Sequence, residues 1–242
     1  MRPEEYAKLS RIETRHWFYC GKREIVRYWI WKYKEKSKTL CLLDCGAGGG
    51  AFASEMATAL RVTAVDDHEE SLSLLRDCLP PEAVVRGSCT QLPFPEGSFD
   101  IVTALDVLEH VPDDRAATEE MIRVLKPGGL LVLTVPALMS LWSDWDVALH
   151  HQRRYHKDGL LQLFGPLPIR CVHAAYINVL AVPAIWLIRK ARILSWGSPQ
   201  RAEDWMPPPW INAVLRFLFV FLAKSKIPFP FGVGLIYVGI KN

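Results

Sequence analysis

The chain lacks several things at once. Its six cysteines contain no Cys-x-x-Cys pair and no apolar cleavable leader opens the sequence, so neither a disulfide scaffold nor a zinc ribbon is expected, and a reducing cytoplasmic setting is. No apolar run approaches the roughly 20 residues that a bilayer crossing needs. Charge of one sign is also scarce: the formal net charge is only +3, which gives nucleic-acid binding no support, and no nucleic-acid partner is expected. Tryptophan is missing from the whole middle of the chain. All nine lie between Trp17 and Trp31 or between Trp142 and Trp210, which suggests a regular central fold with aromatic additions on either side.

What is present is a foldable, strongly apolar composition. Half of the 242 residues are hydrophobic and 23% are charged, which is far from the signature of disorder and enough for a sizeable core. Strand-like and helix-like stretches alternate. Short apolar runs end at Asp44, Asp66, Arg86, Leu105 and Val135, and helical patterns follow them at about 51–60, 69–79 and 114–125. Lys126-Pro-Gly-Gly129 reads as a stop before the fifth strand, and 169–177 and 234–241 read as two more strands. Such alternation predicts an α/β fold, a Rossmann-like, doubly wound and mostly parallel seven-stranded sheet, whose ligands sit at the carboxyl ends of the strands.

The additions are distinctive. Residues 1–38 mix Trp, Tyr and Phe with Lys and Arg and read as one or two amphipathic helices, leaving 39–242 as the main domain. Two apolar segments, 179–188 and 211–223, sit in an insertion at about 178–228 and are expected to form a helical cap. The second is apolar nearly all round, which a greasy substrate or peripheral membrane contact would explain.

The glycine loop after the first strand supports two readings. Gly46-x-Gly48-x-x-Ala51, with Asp66 twenty residues after Gly46, fits a dinucleotide fingerprint, whereas Asp44-x-Gly46-x-Gly48-x-Gly50 fits an S-adenosylmethionine loop. Either way, glycines at this turn let backbone approach a ligand, and Asp66 is placed for ribose hydroxyls.

Five stretches together resemble the class I S-adenosylmethionine-dependent methyltransferases, in particular those related to quinone and small-molecule methyltransferases. They are Leu42 to Gly50 (Leu-Leu-Asp-Cys-Gly-Ala-Gly-Gly-Gly), Val62 to Asp66, Leu92 to Val102, Asp106 to Val111 (Asp-Val-Leu-Glu-His-Val) and Leu125 to Leu130. The resemblance implies S-adenosyl-L-methionine as cofactor. It places Asp44, Gly46, Ala47 and Gly48 against the methionine part, Asp66 on the ribose, Asp67 beside the adenine, and Ser88, Cys89, Leu105 and Asp106 around the rest. Ser88 departs from the acid often found there, so its hydroxyl would accept the adenine's hydrogen bond without charge assistance.

Two constellations remain for the chemistry. Asp106, Glu109 and His110 would share one face if their stretch were helical, and some quinone O-methyltransferases of the family hold a divalent metal on a similar set; no metal is expected here by default. The second runs from Ser143 to Tyr155. His151 is the first choice for a general base, followed by His110, with Tyr155 as a further catalytic group; Trp142, Asp146, Arg153 and Arg154 are expected to bind the substrate. The expected activity is methyl transfer to a small, lipophilic acceptor, at oxygen. A nicotinamide-dependent oxidoreductase and a non-catalytic, membrane-associated cofactor-binding module are the rivals.

Overall fold

The computed structural model describes residues 12–183, 185–187, 206–225 and 227–242. Its elements, in order, are α1 (Trp17–Tyr33), β1 (Cys41–Cys45), α2 (Ala51–Ala57), β2 (Arg61–Asp66), α3 (Glu69–Cys78), β3 (Val84–Arg86), β4 (Phe99–Leu105), α4 (Asp114–Val124), β5 (Leu125–Pro136), α5 (Asp144–Ala148), α6 (Lys157–Phe164), β6 (Ile169–Ile177), α7 (Pro209–Lys224) and β7 (Gly234–Lys241). The seven strands form one sheet in the order β3-β2-β1-β4-β5-β7-β6. The pairs β3-β2, β2-β1, β1-β4 and β4-β5 are parallel, and β7 runs antiparallel to both neighbours. The mostly parallel, doubly wound sheet read from the sequence is the one observed.

The strands are apolar on both faces because helices cover both. Along β5, Leu130 and Val132 pack with Ile25 and Ile30 of α1, Phe52 and Met56 of α2 and Leu72 and Leu75 of α3. Their neighbours Leu131, Leu133 and Val135 pack on the other side with Met121 and Ile122 of α4 and Leu160 and Phe164 of α6. Period-two alternation thus feeds two separate core layers, which is why these strands read as continuous hydrophobic runs.

Two sequence expectations need correction. Lys126-Pro-Gly-Gly129 does not stop before the fifth strand but bulges within it: the pairing Phe99 with Leu125 is followed by Ile101 with Leu130, and Gly128, at φ +71°, makes the excursion. The stretch from Asp106 to Val111 is a turn, not a helix. Asp106 itself adopts the left-handed φ of +57°, which ends the strand and breaks any helical register.

The aromatic additions from the two ends of the chain meet. The α1 and α7 helices run side by side, with the Trp17 amide donating to Asn212 Oδ1 at 2.8 Å and Phe18 stacked on Phe219 at 5.8 Å between ring centres. Gly21 permits the contact, since a Cβ there would stand 2.6 Å from Phe219. Glu24 of α1 accepts from both Arg216 and Lys224 of α7. The expected cap insertion is described only in part: residues 188–205, including Ile188 of its first apolar segment, lie outside the described residues, as do residues 1–11.

Candidate active site

The order of the strands reverses direction between β1 and β4, and the crevice beyond their carboxyl ends is where such sheets bind ligands. The β1 strand delivers Asp44 and β2 delivers Asp66, both buried. Asp66 accepts hydrogen bonds from the amides of Gly48 and His68, each at 3.1 Å, so the acid holds the glycine loop in shape. Asp44 accepts from Thr103 Oγ1 at 2.7 Å. Burial pushes the Asp44 carboxyl up to about 7, partly countered by Thr103 and increased by Asp66. Burial also raises Asp66, against the two amide bonds. Two carboxylates so close and so poorly solvated favour a cationic, hydrogen-bond-donating ligand.

The glycines fit the same role. Gly46 and Gly48 have φ of +63° and +55°, a region that other residues enter only under strain. A Cβ on Gly46 would stand 2.7 Å from Val107, whereas Gly48 faces open space, leaving bare backbone toward the crevice. Ala47 lies between them at the start of the turn. These features fit the cofactor that the sequence resemblance implies, with Asp44, Gly46, Gly48 and Asp66 as its holders.

The remaining expected cofactor residues are spread around the rim. Asp67 is exposed beside His68. The Ser88 hydroxyl shares a 2.8 Å hydrogen bond with Thr90 Oγ1, and Cys89 sits behind it, half-buried. Leu105 and Asp106 close the end of β4. Asp106 is half-buried: it pairs with Lys22 of α1 and accepts from Thr134 Oγ1 at 2.8 Å, with about a third of its side chain still exposed. Burial would raise its pKa, but the Lys22 charge and both hydrogen bonds hold it below the ordinary value. Lys22 was invisible to sequence reading because nothing in its helix marks which of its cations, here Lys22 and Arg23, turn inward.

Beyond β5 the chain returns as a second wall. Tyr155 N donates to Pro136 O at 2.9 Å and Leu138 N to Tyr155 O at 3.0 Å, which docks the 150–155 segment beside the strand end. The α5 helix opens with a capping box between Ser143 and Asp146. Asp146, fully buried, is the hub: Arg154 donates to it from Nε at 2.7 Å and Nη2 at 3.0 Å, Ser143 N at 2.8 Å, and His151 Nδ1 lies 2.9 Å from Oδ1. Burial would raise Asp146, but the His151 and Arg154 hydrogen bonds hold it down at about 2. An ionised acceptor makes His151 Nδ1 the donor and leaves the lone pair on Nε2. That nitrogen lies 4.0 Å from Glu109 Oε1, and the His110 and His151 rings meet edge to face at 4.7 Å.

Glu109 is fully buried, and among the described residues neither of its carboxyl oxygens has a hydrogen-bond partner. Burial, and next the Asp106 charge, raise it well above the ordinary carboxylate range. Burial, with His151 beside it, lowers His110 to about 4 and keeps it neutral. Glu109, His110 and His151 bring three ligand atoms within 4.8 Å of one another and could hold a metal ion. Asp106 is replaced in that set by His151, because the turn and the Lys22 pair take its carboxylate elsewhere.

Several expected roles change with the geometry. Arg154 and Asp146 are buried against each other and cannot reach a substrate; they position His151. Arg153 is engaged by Asp114 at 2.8 Å and by Pro112 O at 2.8 Å. The Tyr155 hydroxyl, expected among the catalytic groups, donates to Asp114 Oδ2 at 2.8 Å and lies 3.3 Å from Leu108 O, and burial raises it far above its ordinary value. It supports the turn that carries Glu109. Trp142 is half-buried where a short 3-10 turn leads into α5.

Comparisons with known proteins agree with this geometry. A family model described as a methyltransferase domain matches residues 43–133. An uncharacterized methyltransferase of Mycobacterium leprae is 36% identical over 113 residues, 46% of this chain and 42% of the relative. The ubiquinone biosynthesis O-methyltransferase of Idiomarina loihiensis is 34% identical over 163 residues, 62% of this chain and 67% of the relative. The chain thus spans between 42% and 55% of the length of the mycobacterial relatives it matches. Among solved structures, a chain of the complex between the Haloferax volcanii Trm112 methyltransferase activator and a methyltransferase superposes with a TM-score of 0.63, at 17% identity, over 98% of this chain and 94% of that one.

Proposed function

Because the chain belongs to the class I S-adenosylmethionine-dependent methyltransferases, we propose that it methylates a hydroxyl oxygen of a small, lipophilic acceptor, with His151 as the general base. The cofactor, when bound, supplies an electrophilic methyl group on a sulfonium, so the protein needs chiefly to align the acceptor and exclude water. Asp44, Gly46, Gly48 and Asp66 hold the cofactor at the β1 turn. Lys22 and Asp106 join α1 to the end of β4 and cover the crevice from one side.

A neutral hydroxyl attacks poorly, and a base near it contributes on the order of 10²–10⁴ in rate. The observation that carries the assignment is the 2.9 Å contact between His151 Nδ1 and Asp146, which fixes the tautomer and leaves Nε2 to accept the acceptor's proton. Oxygen as the acceptor atom is supported by the Idiomarina relative, a ubiquinone biosynthesis O-methyltransferase.

The test is methyl-labelled cofactor incubated with a panel of lipophilic phenols, catechols, amines and carboxylic acids. Label is expected in an organic-soluble ether, and His151→Asn should abolish transfer while leaving S-adenosylhomocysteine affinity intact. Label found only on amines, or full turnover by His151→Asn, refutes the reading.

A further inference from the structure

The α7 helix presents an apolar stripe that no other described element covers. Trp210 is 70% exposed, Val214 50%, Phe217 66% and Phe221 59%. Their spacing of four, three and four residues places all of them within about 60° of one another around the helix axis. No charged residue interrupts that arc between its ends; Phe219, Val220 and Ala223, on the other side, bury into the core against α1. Ile227 and Phe231 continue exposed apolar surface past the end of the helix. A stable domain ordinarily exposes such aromatics singly, so a contiguous stripe marks an interaction surface.

Charge tells which kind. The groove beside the C-terminal half of α7 is lined by Arg27, Tyr28, Trp31, Lys32, Lys224 and Glu24; Glu24, its one acid, is already paired with Arg216 and Lys224, Arg27 pairs with Glu55 outside the groove, and Lys32 stands over the Trp29 ring with no acidic partner among the described residues. Residues 27–38 hold five cations against one acid, in a chain whose whole excess is +3. Lys36 lies over the Trp31 ring at 5.5 Å and Lys224 over Tyr28 at 5.2 Å, so the cations are presented together with aromatic rings. An isologous dimer through this face would bring two such cationic grooves against each other. An anionic, apolar partner meets both features at once.

We propose that α7 is an interfacial anchor: its stripe of Trp210, Val214, Phe217 and Phe221 enters the headgroup region of an anionic bilayer, and the Arg27, Lys32 and Lys224 groove faces the lipid phosphates. Among the described residues no helix is long and apolar enough to cross a membrane, which fits a helix lying in the surface plane. At 16 residues α7 is about 24 Å long, comparable with known surface-lying segments. The inference does not depend on the identity of the acceptor.

The experiment is co-sedimentation of the full chain with vesicles of phosphatidylcholine mixed with phosphatidylglycerol, against vesicles of phosphatidylcholine alone. The chain is expected to partition onto the mixed vesicles, and less so in high salt. F217E/F221E should lower partitioning by at least about tenfold, and K32A/K36A by about 25-fold, since each cation near an anionic surface is worth roughly fivefold. Helical content and S-adenosylhomocysteine affinity should stay unchanged in both; should the double charge substitution misfold, Phe217→Ser provides the same comparison with less perturbation. Equal partitioning of wild type and stripe variants, equal binding to uncharged vesicles, or a dimer that dissociates on Phe217 substitution without any vesicle binding would each overturn the proposal.

Discussion

Asp146→Asn is the sharpest probe of the site, because the substitution keeps shape and removes only charge and acceptor capacity. In the native protein Oδ1 meets Arg154 Nε at 2.7 Å and His151 Nδ1 at 2.9 Å, while Oδ2 meets Arg154 Nη2 at 3.0 Å and Ser143 N at 2.8 Å. Whichever oxygen becomes an amide nitrogen then confronts two donors. Arg154 is itself buried, so the change leaves an uncompensated guanidinium in the interior. Breaking a buried pair from one side costs about 3–5 kcal/mol, a large part of the roughly 5–15 kcal/mol of a whole domain. Urea denaturation followed by circular dichroism at pH 7 should show the midpoint falling by about 1 M or more, with the slope unchanged. Asp146→Leu combined with Arg154→Met should recover part of the loss, because no charge is then stranded. Since the folded carboxyl is depressed to about 2, the Asp146 contribution is complete above about pH 4 and disappears as pH falls toward 2. Turnover per folded molecule should fall on the order of 10²–10⁴ through the freed His151 tautomer. A midpoint shift below about 0.3 M would refute the claim that this buried hub holds the second wall together.

Three further outcomes follow from the same geometry. Gly46→Ala forces a left-handed φ on an L-residue and brings a methyl to 2.7 Å from Val107; it should cost about 1–2 kcal/mol from handedness alone, seen as a melting temperature lower by roughly 4 °C, and an unchanged melting temperature would contradict it. The Asp44 carboxyl, raised to about 7 by burial, must lose its proton to meet a cationic ligand. S-adenosylhomocysteine affinity, measured by calorimetry, should therefore climb as pH rises to about 7 and level off above it, and Asp44→Asn should flatten that profile; a flat wild-type profile would place the cation elsewhere. Tyr155→Phe removes a hydroxyl that donates to Asp114, and should lower stability by about 1–3 kcal/mol while leaving turnover per folded molecule unchanged; a selective loss of turnover would return Tyr155 to the chemistry.

The sequence by itself determined the sheet. Periods of two and 3.6 residues, the breaks at Pro80 and Pro81, and the glycines after Cys45 are local signals, and local backbone preference is enough to set strand and helix bounds, as at Phe99–Leu105 and Ile169–Ile177. The cofactor crevice was legible for the same reason: a ligand at the end of β1 requires glycine and an acid within a few residues of one strand. Pairings between distant residues were not legible. Lys22 with Asp106, Glu24 with Arg216 and Phe18 with Phe219 join positions that no spacing rule connects. Whether Arg154 would face a substrate or Asp146, and whether Tyr155 would act or brace, depended on which side of the 150–155 segment docked against β5. The sequence chose which side chains the protein would carry. Only packing decided which of them would be taken up by one another: Asp146 is buried against Arg154 and His151, whereas Glu109, equally buried, has no hydrogen-bond partner among the described residues.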